Sequence, residues 1–208
     1  MNIASFAPLA VLLPILGAAL TFLLIRNSRA QRTVSIVLLA LTLLLECWLL
    51  ASVWEGGTAA VNIGGWLPPW GIVMVVDQFS SLMLVVSSAV SLAVLVYATG
   101  QGMADGDRDA PVSIFHPTYL ILVAGVSNAF LSGDLFNLYV GFEILLTASY
   151  VLMTLGGTGP RIRAGVTYLV VSVVSSVLFL IAIAMICIAD SRRCHCFGVP
   201  CQPSASAP

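Results

Sequence analysis

Lysine is absent from all 208 residues, so the eight basic side chains are arginines, set against nine acids for a formal charge of −1. Without a basic patch there is nothing to neutralise a run of phosphates, and nucleic acid is excluded as a partner. Charged residues make up only 8% of the chain, against 60% hydrophobic residues and a mean hydropathy of +1.06. That balance excludes a water-soluble globule. No feature is suited to flavin, an iron–sulfur cluster or nicotinamide, so no cofactor is expected.

What the chain has instead is long apolar runs, at roughly 6–25, 33–54, 79–98, 115–131, 135–155 and 164–189. Each approaches the ~20 residues that a membrane-spanning helix needs. The expectation is an all-α, polytopic integral membrane protein of about six transmembrane helices, with 1–189 as one transmembrane domain. The first run lacks a basic n-region before it and is too long in its apolar part for a cleavable signal peptide. Arginine placement gives an orientation. Arg26, Arg29 and Arg32 lie in the first connection, Arg108 in the third, Arg161 and Arg163 in the fifth, and none in the second or fourth. The positive-inside rule puts the odd connections in the cytoplasm and the N-terminus outside.

The second connection, Glu55 to Asp77, is rich in Gly, Pro and Trp, and reads as an outside loop or short hairpin with Trp66 and Trp70 at headgroup level. Asp77 and Asp134 stand at helix entrances, where the simplest role is to accept hydrogen bonds from free backbone N–H groups.

One carboxylate, Glu143, falls within the fifth run. If that helix starts after Asp134, a rise of ~1.5 Å per residue places it roughly 13 Å inside. An acid at that depth is a candidate for proton or ion handling. Helical spacing sets Tyr139, Thr147 and Tyr150 on its face. The sixth run carries a matching stripe of Tyr168, Ser172, Ser175 and Ser176. The third run offers Ser80, Ser87, Ser88 and Ser91, and the fourth offers Asn128 beside Gly125, Ala129 and Gly133. Single hydroxyl and small residues of this kind ordinarily serve helix packing. A second membrane acid, Glu46, has Leu43, Leu49 and Leu50 around it and Trp48 nearby, and is expected to reach the interface. His116, beside Pro117, is expected at a loop or interface.

After Ala189 the chain turns to DSRRCHCFGVPCQPSASAP, with three of the five cysteines and three of the ten prolines. This shift suggests out-of-frame translation beginning near Cys187, leaving 190–208 as a disordered tail. Zinc binding by Cys194, His195, Cys196 and Cys201 is the rival, but their spacing departs from the usual C-x2–4-C pairs, so no metal is expected. Disulfide pairing outside is a further alternative whose connectivity the sequence does not give.

The run GDLFNLYVGFEILLTASYVLMTLGG, with GGWLPPWGI and VDQFSSLML upstream, resembles the D subunits of Mrp-type multisubunit Na+/H+ antiporters. The wider family includes the antiporter-like, proton-pumping membrane subunits of respiratory complex I. The resemblance runs from about Phe6 to Ile186 and implies the N-terminal part of a fourteen-helix fold built from two inverted repeats. It implies a role in the cytoplasmic membrane beside other membrane subunits, moving H+ and Na+, with Glu143 as the proton carrier. In that family the glutamate works with a lysine on a broken seventh helix; this chain has neither. Two alternatives follow: a proton-translocating membrane subunit of a quinone-reducing NADH dehydrogenase complex, and an inert membrane fragment.

Overall fold

A computed structural model describes residues 6–63, 72–101, 114–155, 157 and 159–190. Among them six helices appear in chain order: α1 (Ala7–Leu23), α2 (Ser28–Gly56), α3 (Gln78–Gly100), α4 (Phe115–Leu131), α5 (Leu135–Thr154) and α6 (Gly159–Asp190). By length and composition α2, α3, α5 and α6 can each cross a membrane, while α1 and α4 are shorter apolar helices of 17 residues. At ~1.5 Å per residue, 17 residues still extend about 25 Å. The chain is a polytopic membrane protein, all-helical among the described residues apart from one small hairpin.

Two helices start five residues ahead of the apolar runs that announce them. For α2 the reason is Asn27, whose side chain accepts from the Ala30 N–H at 3.4 Å, so the helix includes Arg29 and Arg32. For α6 the start is Gly159–Pro160, and proline suits a first turn, where its missing N–H has no intrahelical partner to lose. Three buried hydroxyls of α1 and α2 return to their own helix. Thr21 donates to the Gly17 carbonyl at 2.9 Å, Ser35 to Gln31 at 2.7 Å and Thr42 to Leu38 at 2.9 Å. Gln31 closes the α1–α2 corner by donating its side-chain N–H to the Thr21 carbonyl at 2.8 Å.

The connection after α2 holds an antiparallel hairpin, β1 (Ala59–Asn62) with β2 (Val73–Val76), in the register Ala59↔Val76 to Asn62↔Val73. Trp66 and Trp70 lie outside the described residues, as do Arg108 and the 191–208 tail with its four candidate zinc ligands. The hairpin is stitched to the α4–α5 corner: Gly133 N–H donates to the Val73 carbonyl at 2.8 Å, and Met74 bridges to Ser132. A Cβ on Gly133 would stand 3.0 Å from that carbonyl and 2.7 Å from Val75, so only glycine lets the strand come this close.

Helix α4 is the hub. It packs against α1 and α5 most extensively, and also against α2 and α3, whereas α6 leans chiefly on α5. One apolar cluster beneath the hairpin joins Ala10, Leu49, Val53, Met74, Val76, Leu84 and Leu131; a second, towards the other end, joins Ala18, Leu39, Leu95, Leu120 and Val123. Large apolar side chains such as Leu16, Leu44 and Val170 point outward, as helices surrounded by hydrocarbon require.

Candidate functional site

Helix α5 begins on Asp134, whose Oδ1 accepts from the Asn137 N–H at 2.6 Å. Its Oδ2 accepts from the Val73 N–H at 3.3 Å, so one carboxylate ties the helix start to β2. Asp77 caps α3 in the same way, accepting from the Ser80 N–H at 2.7 Å while Ser80 Oγ accepts from the Asp77 N–H at 3.1 Å. Both entrance acids are thus occupied as caps. The bond from the Ser80 side chain, followed by that from the Ser80 backbone, holds the Asp77 carboxyl below its usual value.

Glu143 sits mid-helix on α5, half-buried, and lines three hollows. The first, ~330 Å³, lies between α5 and α6 and is bounded by Tyr139, Phe142, Glu143, Leu146, Ser175, Ser176 and Phe179. It is open on one side, and most of its surface is apolar. Ser176 donates to the Tyr139 hydroxyl at 3.3 Å, and the Phe142 and Phe179 rings meet edge to face at 6.0 Å. A second hollow, of 40 Å³, brings Glu143 together with Thr147, Tyr150, Tyr168 and Ser172. Beside it the hydroxyls of Ser149 and Tyr168 pair at 2.9 Å. The third, ~350 Å³, opens between α5 and α4 and includes Thr118, Ile121 and Thr147.

The polar stripes of α5 and α6 therefore meet around Glu143, each of their expected members lining a hollow that it shares. Asn128 is not among them. It is buried at the α4–α5 crossing, donating to Asn137 Oδ1 at 3.2 Å, where it ties the two helices together. Arg161 is likewise engaged elsewhere, donating to the Leu155 carbonyl at 2.8 Å.

Two sequence expectations need correction. Glu46 does not reach an interface: it is 0% exposed, packed among α2, α3 and α4, with the Ser127 hydroxyl 3.5 Å from its Oε1. The leucines one turn away on its own helix were a poor guide, because its polar neighbours come from other helices. Ser88 and Ser127 on α3 and α4 carried the usable signal. His116 lies in the first turn of α4, as its place beside Pro117 suggests, but it is buried rather than at an interface and meets Phe115 edge to face. Among the described residues no group of three His, Cys, Asp or Glu is placed to hold a metal.

A family model described as NADH:quinone oxidoreductase/Mrp antiporter, TM, matches residues 132–192, the stretch that includes Glu143 and both hydroxyl stripes. The chain is also similar to Na(+)/H(+) antiporter D subunits. With that of Alkalihalophilus pseudofirmus it is 35% identical over 178 residues, covering 86% of this chain and 35% of that protein. With that of Bacillus subtilis it is 37% identical over 182 residues, covering 88% and 36%. Among probable K(+)/H(+) antiporter D subunits, that of Rhizobium meliloti is 43% identical over 131 residues, covering 62% of this chain and 23% of that one. Among solved structures, the Mrp complex from Dietzia sp. superposes with a TM-score of 0.80 at 30% identity, covering 91% of this chain and 35% of the matched one. The membrane-bound sulfane sulfur reductase, an archaeal respiratory membrane complex, gives 0.80 at 26% identity, covering 89% and 37%. The chain spans about a third of the length of the first two antiporter relatives.

Proposed function

We infer that this chain, a relative of cation/proton antiporter D subunits over most of its length, is the part of such a protein that carries protons through Glu143. The observation that carries the reading is the ~330 Å³ hollow between α5 and α6, where Glu143 meets Tyr139, Ser175 and Ser176. A carboxyl group there can bind and release a proton, and the neighbouring hydroxyls can both donate and accept, as a relay requires. H+ and Na+ are the expected cations. Other membrane subunits are the expected partners, in the cytoplasmic membrane, with the N-terminus outside and the arginine-bearing connections inside. The arginines of α6 lie away from Glu143: Arg161 and Arg163 come eleven and nine residues before Ser172, which shares a hollow with it, roughly 17 and 14 Å along that helix. The mechanism therefore draws its cation from outside this stretch of chain.

The test is Na+-driven proton movement in vesicles holding the chain with its partner subunits. Glu143→Gln is expected to lower the rate on the order of a hundredfold, the size of effect seen on removing a positioned proton-transfer group. Glu143→Asp should recover part of it. Unchanged transport in Glu143→Gln would remove the proposal. The likeness to a respiratory membrane complex favours a second reading, in which proton translocation by the chain is powered by electron transfer. In that case the gradient would respond to the electron donor and not to Na+.

A further inference from the structure

The buried carboxyl of Glu46 belongs to none of the hollows around Glu143. It stands at the meeting of three helices, 0% exposed, with Ser127 of α4 3.5 Å from Oε1 and Ser88 of α3 interacting with the same group. Both serines are themselves buried, and Oε2 is enclosed with no hydrogen-bond partner among the described residues.

The helices packed against α2 bring no charge that could offset an ionised carboxylate. Helix α1 has no titratable side chain at all, and α3 has only Tyr97, nine residues from Ser88. On α4 the titratable groups are His116 and Tyr119, eleven and eight residues from Ser127, roughly 17 and 12 Å along the axis. On α2 itself, Arg29 and Arg32 lie at the far end, at least 14 residues away, roughly 21 Å. Cys47 is adjacent in sequence but exposed, and Glu55 is nine residues further along. A proton on the carboxyl is the simplest compensation for its charge, and a carboxylic acid flanked by two hydroxyls can give that proton up and take it back.

We propose that Glu46, with Ser88 and Ser127, forms a second intramembrane proton-binding site at the α2–α3–α4 junction. The ligand is a single proton, since one carboxyl and two hydroxyls are too few oxygens to enclose a metal cation stripped of its water. The site does not depend on Glu143 carrying protons. It sits on the opposite side of the hub helix from α5 and α6.

Infrared difference spectroscopy of the chain in lipid vesicles, cycled between acid and alkaline buffer, tests this directly. The expected result is a buried carboxylic-acid C=O band that is lost in Glu46→Gln and kept in Glu143→Gln. It should convert to carboxylate absorption at alkaline pH and return on acidification. Ser127→Ala should shift the band's frequency, which assigns it even if Glu46→Gln fails to fold. A Glu46 band of constant intensity across the cycle would mean a fixed structural acid and overturn the proposal. So would the absence of any band sensitive to Glu46→Gln or Ser127→Ala. Because Glu143→Gln is a separate arm, failure here leaves the antiport reading standing, and the converse holds too.

Discussion

Asp77 shows how one acid at a helix entrance can be read from sequence and then given a measurable consequence. Its carboxyl lies below the ordinary value of 3.8 because Ser80 bonds the charged form, first through its side chain and then through its backbone N–H. A depressed native value means the cap's contribution is complete above the unfolded value and is lost as pH falls through the native one. Asp77→Ala should cost about 1 kcal/mol at neutral pH, a typical size for losing an N-cap. Asp77→Asn should keep the cap and flatten the acid limb of the stability curve; denaturant unfolding in mild detergent at several pH values separates the two. The two membrane acids were legible to different degrees. Glu143 shares its helix face with Tyr139, Thr147 and Tyr150, so its polar setting is written at helical spacing in one segment. Glu46 meets Ser88, 42 residues later, and Ser127, 81 residues later, and no periodicity within its own helix reports that. Local pattern finds polar residues that share one helix face and misses a cluster built by three helices.

At the scale of elements, close approach depends on missing side chains. Where α4 crosses α5, a Cβ on Gly125 would sit 3.0 Å from the Leu145 backbone nitrogen, and one on Gly141 3.2 Å from the Ala129 nitrogen. Backbone cannot give way as a flexible side chain can, so Gly141→Val should force the helices apart. Overpacking of this kind costs typically about 1–3 kcal/mol. It should appear as a lower unfolding midpoint in detergent titration, and it should also loosen the Asn128–Asn137 bond beside the crossing. The helices themselves were plain from their apolar runs. Their ends were less so, because α2 and α6 begin in polar, arginine-bearing turns that hydropathy leaves out. The hairpin was foreseen only as an alternative to a loop. What ties it to the helices is the tertiary bond that the Val73 N–H donates to the Asp134 carboxylate, between residues 61 apart.

For the whole molecule, the distribution of arginine makes the topology testable. In a cysteine-depleted background, a cysteine in place of Thr58 should react with a membrane-impermeant thiol reagent from outside intact cells. One in place of Ser28 should react only after the inner face is opened. Reversed labelling would invert the proposed orientation while leaving the bundle as described. The bundle is also uneven in how tightly its parts are held. Among the described residues of α6, the buried and half-buried positions form one narrow stripe, Gly165, Tyr168, Ser172, Ser176, Phe179 and Ile183, and apolar residues on other faces, such as Val170 and Leu178, are exposed. Helix α4, by contrast, is gripped on several sides. Pulled from the membrane by its C-terminal end in single-molecule force spectroscopy, the chain should therefore surrender α6 first, as a separate low-force step. That same weak seam closes one wall of the ~330 Å³ hollow, so a load or a docking neighbour acting on α6 would set how wide the chamber beside Glu143 stands.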